Sequence, residues 1–278
     1  MRLVIQGPTL GSLQLQKIAG LCGSSQFTEL ESNAYSLRGD FPGQSEIKAY
    51  CSAQGIDCAF VPDGQVMENF GLVVMDMDST LISIECIDEI ADMQGLKPQV
   101  AAITESAMRG EIEFAESLRR RVALLQGLDE SALQRVYDER LQLNPGAQKL
   151  IDTLKERTIK TLLVSGGFNY FTDGLKQRLG LDYALGNRLE IVDGKLTGQA
   201  LGDIIDAQGK ADWLARTRDA LGLRKEQVIA IGDGANDLKM MAAAGVGIAY
   251  HAKPVVREQA TYALNHVGLD GVLNLFRS

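Results

Sequence analysis

Three short clusters in this 278-residue chain carry residue types that can do chemistry together. Asp76-Met77-Asp78-Ser79-Thr80 follows the apolar run Leu72–Met75, Ser165-Gly166-Gly167 follows LLV, and Gly232-Asp233-Gly234-Ala235-Asn236-Asp237 follows VIAI. Any one alone can be a helix cap or a turn, since Asp, Ser and Asn favour both, and Ser165-Gly-Gly reads that way in isolation. Together they set four carboxylates behind apolar runs, a crowding from which folding gains little. A hard divalent cation does need it, because Mg²⁺ takes oxygen ligands from a few carboxylates and waters. Gly-flanked N–H groups and a serine hydroxyl suit phosphate oxygens. The sequence has no GxxxxGK[ST] loop, and GGFNYFTDG is not GxGxxG, which argues against nucleotide and dinucleotide sites. Phosphoryl transfer from a small monoester fits these residues. A carboxylate attacking a phosphate dianion meets about 4 kcal/mol of repulsion per unit charge pair at about 4 Å and an effective dielectric of about 20. Such a site therefore requires concentrated positive charge.

The elements that would position these clusters follow from periodicity. Leu72–Met75 is continuously apolar, as a strand buried on both faces of a parallel sheet is. Beyond residue 145, strand and helix patterns alternate through Gly turns: AQKLIDTLKERT is a helix, IKTLLVSGG a strand and NYFTDGLKQRLG a helix. RLEIVDGKLTGQ predicts two strands about Asp193-Gly194, then come a helix in GKADWLARTRDALG, a strand, loop and helix in VIAIGDGANDLKMMAAAG, and a strand in VGIAY. The fold class expected is α/β, a doubly wound, Rossmann-like parallel sheet with its ligands at the strand C-termini. Residues 85–144 are helical almost throughout and read as a four- or five-helix insert ended by Asn144-Pro145-Gly146. Residues 1–64 form a separate β-α-β-α-β pattern, an α+β unit whose long second strand can split in two. PDGQVMENFG, residues 62–71, reads as a linker, so the expected division is 1–64, a core of 65–84 with 145–278, and the insert 85–144. Because residues 1–64 hold none of the clusters, a chain beginning near Val66 is expected to fold and stay active.

Composition narrows the class. Apolar residues are 45% and charged residues 23% of the chain, which excludes disorder as the main theme. The formal net charge of −8 argues against a nucleic-acid partner, which would need a basic stripe. Two histidines, His251 and His266, are too few for a His-built zinc or iron centre. Cys22, Cys51, Cys58 and Cys86 show no CxxC pair, and core burial in a reducing compartment is favoured over a Cys51–Cys58 bridge. MRLVIQGPTL is not a signal peptide, no run approaches a membrane span, and the chain reads as cytoplasmic.

Asp76-x-Asp78-x-Thr80, Ser165-Gly-Gly, Lys210 after Gly209 and Gly232-Asp233-Gly-Ala-Asn-Asp237 resemble the four motifs of the haloacid-dehalogenase-like phosphatases. MDMDSTLISIECIDEIA, FAESLRRRV, VSGGFNYFTDGLKQRLGLDYALGNRL, DGKLTG and IGDGANDLKM are similar, more narrowly, to the phosphoserine phosphatases, over roughly residues 71–275. The resemblance implies L-phosphoserine as the small-molecule substrate and a place at the last step of serine biosynthesis. It implies Asp76 as nucleophile, through an aspartyl-phosphate, and Asp78 as general acid and base. Asp76, Asp233 and the Asp78 carbonyl would hold Mg²⁺, with Asp237 steadying them, and Ser165, Gly166, Lys210 and Asn236 would hold phosphate oxygens. The insert is similar to the small cap of this superfamily. There Glu85 would meet the substrate ammonium, Arg121 its carboxylate, and Met108 and Phe114 would shield it, although ordinary cap core is an equal reading of those two. Transfer from Asp76 to an alcohol such as homoserine stays open, as does a silent amino-acid sensor, which would not need a nucleophile. The amino-terminal order is similar to ACT-like modules, leaving packing, homodimer formation and serine binding open.

Overall fold

The computed structural model describes residues 1–24 and 26–277, and the Met108 side chain lies outside the described groups. Its amino-terminal part is β1 (Arg2–Gln6), α1 (Ser12–Cys22), β2 (Thr28–Glu31), β3 (Ala34–Arg38), α2 (Gln44–Ala53) and β4 (Asp57–Val61). The long second strand does split, at a tight turn through Ser32 and Asn33, where Asn33 adopts a positive φ of 60°. The four strands form an antiparallel sheet in the order β2-β3-β1-β4.

The remainder is built on β5 (Leu72–Met75), four helices α3 (Cys86–Asp92), α4 (Lys97–Met108), α5 (Phe114–Ala123) and α6 (Ser131–Glu139), then α7 (Ala147–Glu156). Next come β6 (Lys160–Phe168), α8 (Asn169–Leu179), β7 (Tyr183–Val192), β8 (Lys195–Leu201), α9 (Ala207–Ala220), β9 (Val228–Gly232) and α10 (Leu238–Ala243). The chain closes with β10 (Val246–Tyr250), α11 (Pro254–Gln259), β11 (Tyr262–Leu264) and α12 (Gly271–Leu275). Seven strands make one sheet in the order β11-β10-β9-β5-β6-β7-β8, parallel except for the β7–β8 hairpin about Asp193-Gly194. This is the α/β core expected from the alternation; β11 was not foreseen, its three residues being too few to show a period.

Topology brings the three clusters together. β5 lies between β9 and β6, and Met75 is level with Ile231 on one side and Leu163 on the other. Asp76, Ser165 and Asp233 therefore stand at adjacent strand ends, at the point where the winding reverses. The strand core itself is dry: all four residues of β5 have no exposed surface.

The amino-terminal sheet is bound to the core more tightly than its linker suggests. Side chains of β1 alternate. Leu3 and Ile5 pack with Ile18 and Ile47 of α1 and α2, while Val4, together with Ala59 and Val61, joins the apolar cluster of Val73 and Met75. Arg2 and Gln6 share the Val4 face and are buried. Arg2 donates to the carbonyls of Gln65 (3.1 Å), Leu275 (3.2 Å) and Arg277, and Gln6 donates to Gly271 (3.1 Å). A shared core thus replaces the weakly coupled module expected from residues 62–71, and a chain begun near Val66 would bare apolar surface. All four cysteines are free.

Candidate active site

The residue after β5 is Asp76, 5% exposed, whose backbone N–H donates to Ile231 O (3.0 Å) and whose Oδ1 accepts from Met77 N (2.7 Å). The chain then turns sharply through Met77–Leu81, with Ser79 at a positive φ of 57°. That turn brings Thr80 to Asp233: its hydroxyl donates to Oδ1 at 2.8 Å. Lys210 is held by the start of α9, where Asp206 caps the helix by accepting from Gly209 N at 2.8 Å. Its Nζ lies 2.7 Å from both Asp76 Oδ1 and Asp237 Oδ1, with 1% of its side chain exposed. Asp237 completes its own loop by accepting from Gly234 N (3.0 Å).

Asp76, Asp233 and Asp237 offer carboxylate oxygens within 4.8 Å of one another. Three carboxylates against one ammonium leave two negative charges when all are ionised, and the donors are hard oxygens, which fits a divalent cation such as Mg²⁺. The protonation balance points the same way. Burial, then Asp237, pushes the Asp76 carboxyl well above its ordinary value, more than Lys210 offsets. Burial and Asp237 also raise Asp233. Burial alone would lower the Lys210 ammonium, but Asp237 and Asp76 outweigh it and hold it charged. A cation at this cluster relieves the repulsion that raises the carboxyls.

Asp78 stands opposite, on the cap side. Its Oδ1 accepts from Cys86 N (3.1 Å), the first residue of α3, and burial pushes its carboxyl up to about 6. Two glycines make this approach feasible. A Cβ on Gly167 would meet Asp78 Oδ2 at 2.7 Å, and one on Gly166 would meet the Phe114 ring at 2.8 Å. Phe114 of α5 therefore sits directly over the Ser165-Gly166 turn. Ser165 Oγ accepts from Gly167 N at 2.8 Å. Asn187 ties this turn to the approach to α9, donating to Gly166 O and accepting from Ile205 N, both at 2.8 Å.

A cavity of about 640 Å³ joins these groups to the helical insert, with Glu85, Asp88, Phe114, Ser117 and Arg121 on its upper wall and Asn236 and Lys253 at its rim. Glu85 caps α3 at the mouth and accepts from Ser79 Oγ at 2.8 Å. Although the residue is exposed along the mouth, desolvation there and the nearby Asp78 push its carboxyl up to about 7. Burial holds the Arg121 guanidinium below its ordinary value, against the pull of Asp88, Glu85 and Asp78. Arg119 and Arg120 face solvent.

Every expected site residue whose side chain is described lies at this cavity or in the carboxylate cluster beneath it; Met108 lies outside the described groups. The contact from Thr80 to Asp233, the brace at Asn187, and the wall positions of Asp88, Ser117 and Lys253 escaped sequence reasoning. Asp88 had a signal, since it stands three residues after Glu85 on the same helical face. Asn187 had none, because its partners are distant backbone groups.

The haloacid dehalogenase-like hydrolase model matches residues 73–242. A phosphoserine phosphatase of Polaromonas sp. is 54% identical over 216 residues, 76% of this chain and 92% of that protein. The unliganded crystal structure of a probable phosphoserine phosphatase from Vibrio cholerae superposes with a TM-score of 0.87 at 42% identity, covering 99% of this chain and 85% of the other. A phosphoserine phosphatase solved as a phospho-aspartyl intermediate analogue has a TM-score of 0.70 at 38% identity, covering 75% of this chain and 99% of that one. With the strand-end carboxylates, the buried lysine and the capped cavity accounted for, the chain belongs to the phosphoserine phosphatases of the haloacid dehalogenase-like hydrolase family.

Proposed function

We propose that this phosphatase hydrolyses L-phosphoserine to serine and phosphate through a phosphorylated Asp76, completing a serine-producing route. The observation that carries the reading is one cavity holding a buried lysine and carboxylates on its floor and both an acid and a base on its roof. A monoester with one ammonium and one carboxylate matches that roof, Glu85 taking the first and Arg121 the second.

In the first step an Asp76 carboxylate oxygen attacks phosphorus in line, while protonated Asp78 gives its proton to the departing serine oxygen. A carboxyl raised to about 6 keeps an acid fraction available for this near neutral pH. In the second step ionised Asp78 takes a proton from water, which attacks the acyl phosphate and frees Asp76. Lys210, Ser165, the Gly166 N–H and Asn236 hold the phosphoryl oxygens, and Lys210 shields the approaching charges. Asp76, Asp233 and the Asp78 carbonyl would hold Mg²⁺, with Asp237 anchoring Lys210 beside them. When bound, the ion supplies positive charge against the phosphate dianion. Phe114 closes the cavity over the Ser165 turn, which excludes water from the acyl phosphate until serine leaves.

We read residues 1–64 as the ACT-like unit, 65–84 with 145–278 as the catalytic core, and 85–144 as the cap. The test is release of phosphate from a set of small phosphomonoesters, with and without Mg²⁺. L-Phosphoserine is expected to lead and to require the ion; equal rates on esters lacking the ammonium and carboxylate would overturn the substrate.

A further inference from the structure

We propose that Asp57, in the amino-terminal sheet, is a positioning residue for the cap, fixing the hinge through which substrate-reading helices join the core; this rests on the phosphoserine reading above. β4 runs beside β11, and Asp57 opens β4 with 3% of its surface exposed. One oxygen accepts from Asn265 N at 2.8 Å, and the other from His266 N at 2.9 Å and Val267 N at 3.2 Å. No lysine or arginine among the described residues pairs with it. A carboxylate buried without a cation is stable only when several donors converge on it, and three successive amides form such a nest. Those amides make no other backbone hydrogen bond among the described residues, so Asp57 is what gathers them, while Val267 O is held from its other side by His251 Nε2 at 3.0 Å.

The loop continues directly to the cap hinge. Leu269 N donates to Pro145 O at 2.7 Å, and a Cβ on Gly268 would meet that same oxygen at 2.6 Å. Pro145 ends the segment returning from the cap. Its neighbour Asn144 donates from Nδ2 to Thr80 O (2.8 Å) and Ile82 O (3.1 Å). The outgoing segment is clasped to the returning one by Ser83 N to Gln142 O at 2.9 Å and by an Ile82–Leu143 bridge. Both connections to the cap are thus locked to each other, and their core end abuts the loop that Asp57 shapes. Asp76 and Lys210 are held by other bonds, from β9 and the start of α9. Loosening the loop should therefore shift Glu85 and Arg121 over the cavity while leaving the Asp76–Lys210 pair in place.

The experiment compares the full chain with Asp57→Asn and Asp57→Ala on L-phosphoserine and on p-nitrophenyl phosphate, which has neither ammonium nor carboxylate. The KM for L-phosphoserine is expected to rise about tenfold in both variants with kcat on p-nitrophenyl phosphate little changed, since small misplacement of positioning groups costs up to about 100-fold. Ile18→Ala, which loosens the amino-terminal core away from the hinge, is expected to lower stability without moving that ratio. Equal losses on both substrates, an unmoved ratio in Asp57→Asn, or the same shift in Ile18→Ala would overturn the inference. Hydrogen exchange on the unaltered chain gives a reading free of folding defects: amides 265–267 should open together with 142–144, and independent opening also overturns it. An unaltered chain with no preference for L-phosphoserine removes the substrate reading instead, so the two failures are separable.

Discussion

The floor and roof of the cavity are built on opposite plans. On the floor, Lys210 touches two carboxylates at 2.7 Å, Asp233 has Thr80, and Asp237 has the Gly234 amide. On the roof, the hydrogen bond of Arg121 runs from Nε to Ser117 O at a long 3.4 Å, and no carboxylate of the described residues lies within 4.0 Å of it. The floor is therefore complete before substrate arrives, apart from its excess negative charge, whereas the roof presents a cation with no carboxylate partner beside an acid held only by the Ser79 hydroxyl. On the proposed mechanism, phosphoryl chemistry, common to every monoester, sits on preorganised strand ends, and discrimination sits on a helical insert that the substrate itself completes.

The contrast breaks most sharply at Asp76. Asp76→Asn keeps the shape of the floor but removes the proposed nucleophile, so turnover of every monoester is expected to fall at least about 10⁴-fold. The melting temperature should stay close to that of the unaltered chain, because the lost charge is one whose burial and neighbour Asp237 already disfavour. Phosphate release and a thermal melt check both halves. Residual turnover within about tenfold of the parent would end the covalent reading.

Removing the roof should hurt selectively. Arg121→Ala is expected to lower kcat/KM for L-phosphoserine by about 10²–10³-fold, since truncating one member of a desolvated charge pair costs about 2–5 kcal/mol. On p-nitrophenyl phosphate the loss should be far smaller. Equal losses on both substrates would assign Arg121 to cap packing.

How much of this could be read from the chain divides along the same line. The floor was legible because each acidic or hydroxyl cluster directly follows an apolar strand, and parallel strands bring such ends together. Asp76, Asp78, Ser165, Asp233 and Lys210 all met there. Glu85 and Arg121 had no such logic: only resemblance nominated them, since helical spacing does not reveal what a cap helix faces. Least legible was the amino-terminal interface. Arg2 and Gln6 in RLVIQ look like the polar side of an edge strand, but they are buried against carbonyls of residues about 265 or more positions away. Nothing local marks a polar residue whose partners are backbone groups at the other end of the chain.

The pH dependence of the roof sharpens the comparison further. As the proposed ammonium site, Glu85 would act only when ionised, and its carboxyl is raised toward about 7 in the unliganded site. Below its pKa the group is protonated, so the KM for L-phosphoserine should climb as pH falls, approaching tenfold per unit well below the inflection. Solvent at the mouth screens the shift, which sets the inflection between the ordinary 4.5 and about 7. Phosphoglycolate, which lacks the ammonium, should miss this climb while sharing the titration of the phosphate and of Asp78. Glu85→Gln should flatten the difference between the two substrates, and a difference that persists in this variant would place ammonium recognition elsewhere.

The smallest expected effect tests whether the floor is as self-sufficient as its bonds suggest. Thr80→Val preserves shape but removes the hydroxyl that donates to Asp233 Oδ1 at 2.8 Å. That bond favours the ionised form of Asp233, which burial and Asp237 otherwise disfavour. Losing it leaves the carboxylate both less often ionised and less well aimed. Groups standing behind a metal ligand typically contribute about 10–100-fold in metal affinity. Because Asp233 is flanked by the further carboxylates of Asp76 and Asp237, the lower end applies: about tenfold more Mg²⁺ should be needed for half-maximal activity. Saturating Mg²⁺ should restore kcat, since the hydroxyl touches neither the nucleophile nor the acid. The measurement is an Mg²⁺ titration of phosphate release beside the unaltered chain. A kcat that stays depressed at saturating ion would mean that Thr80 also shapes the Asp76–Asp78 turn, and that the floor depends on its own loop for more than a metal ligand's aim.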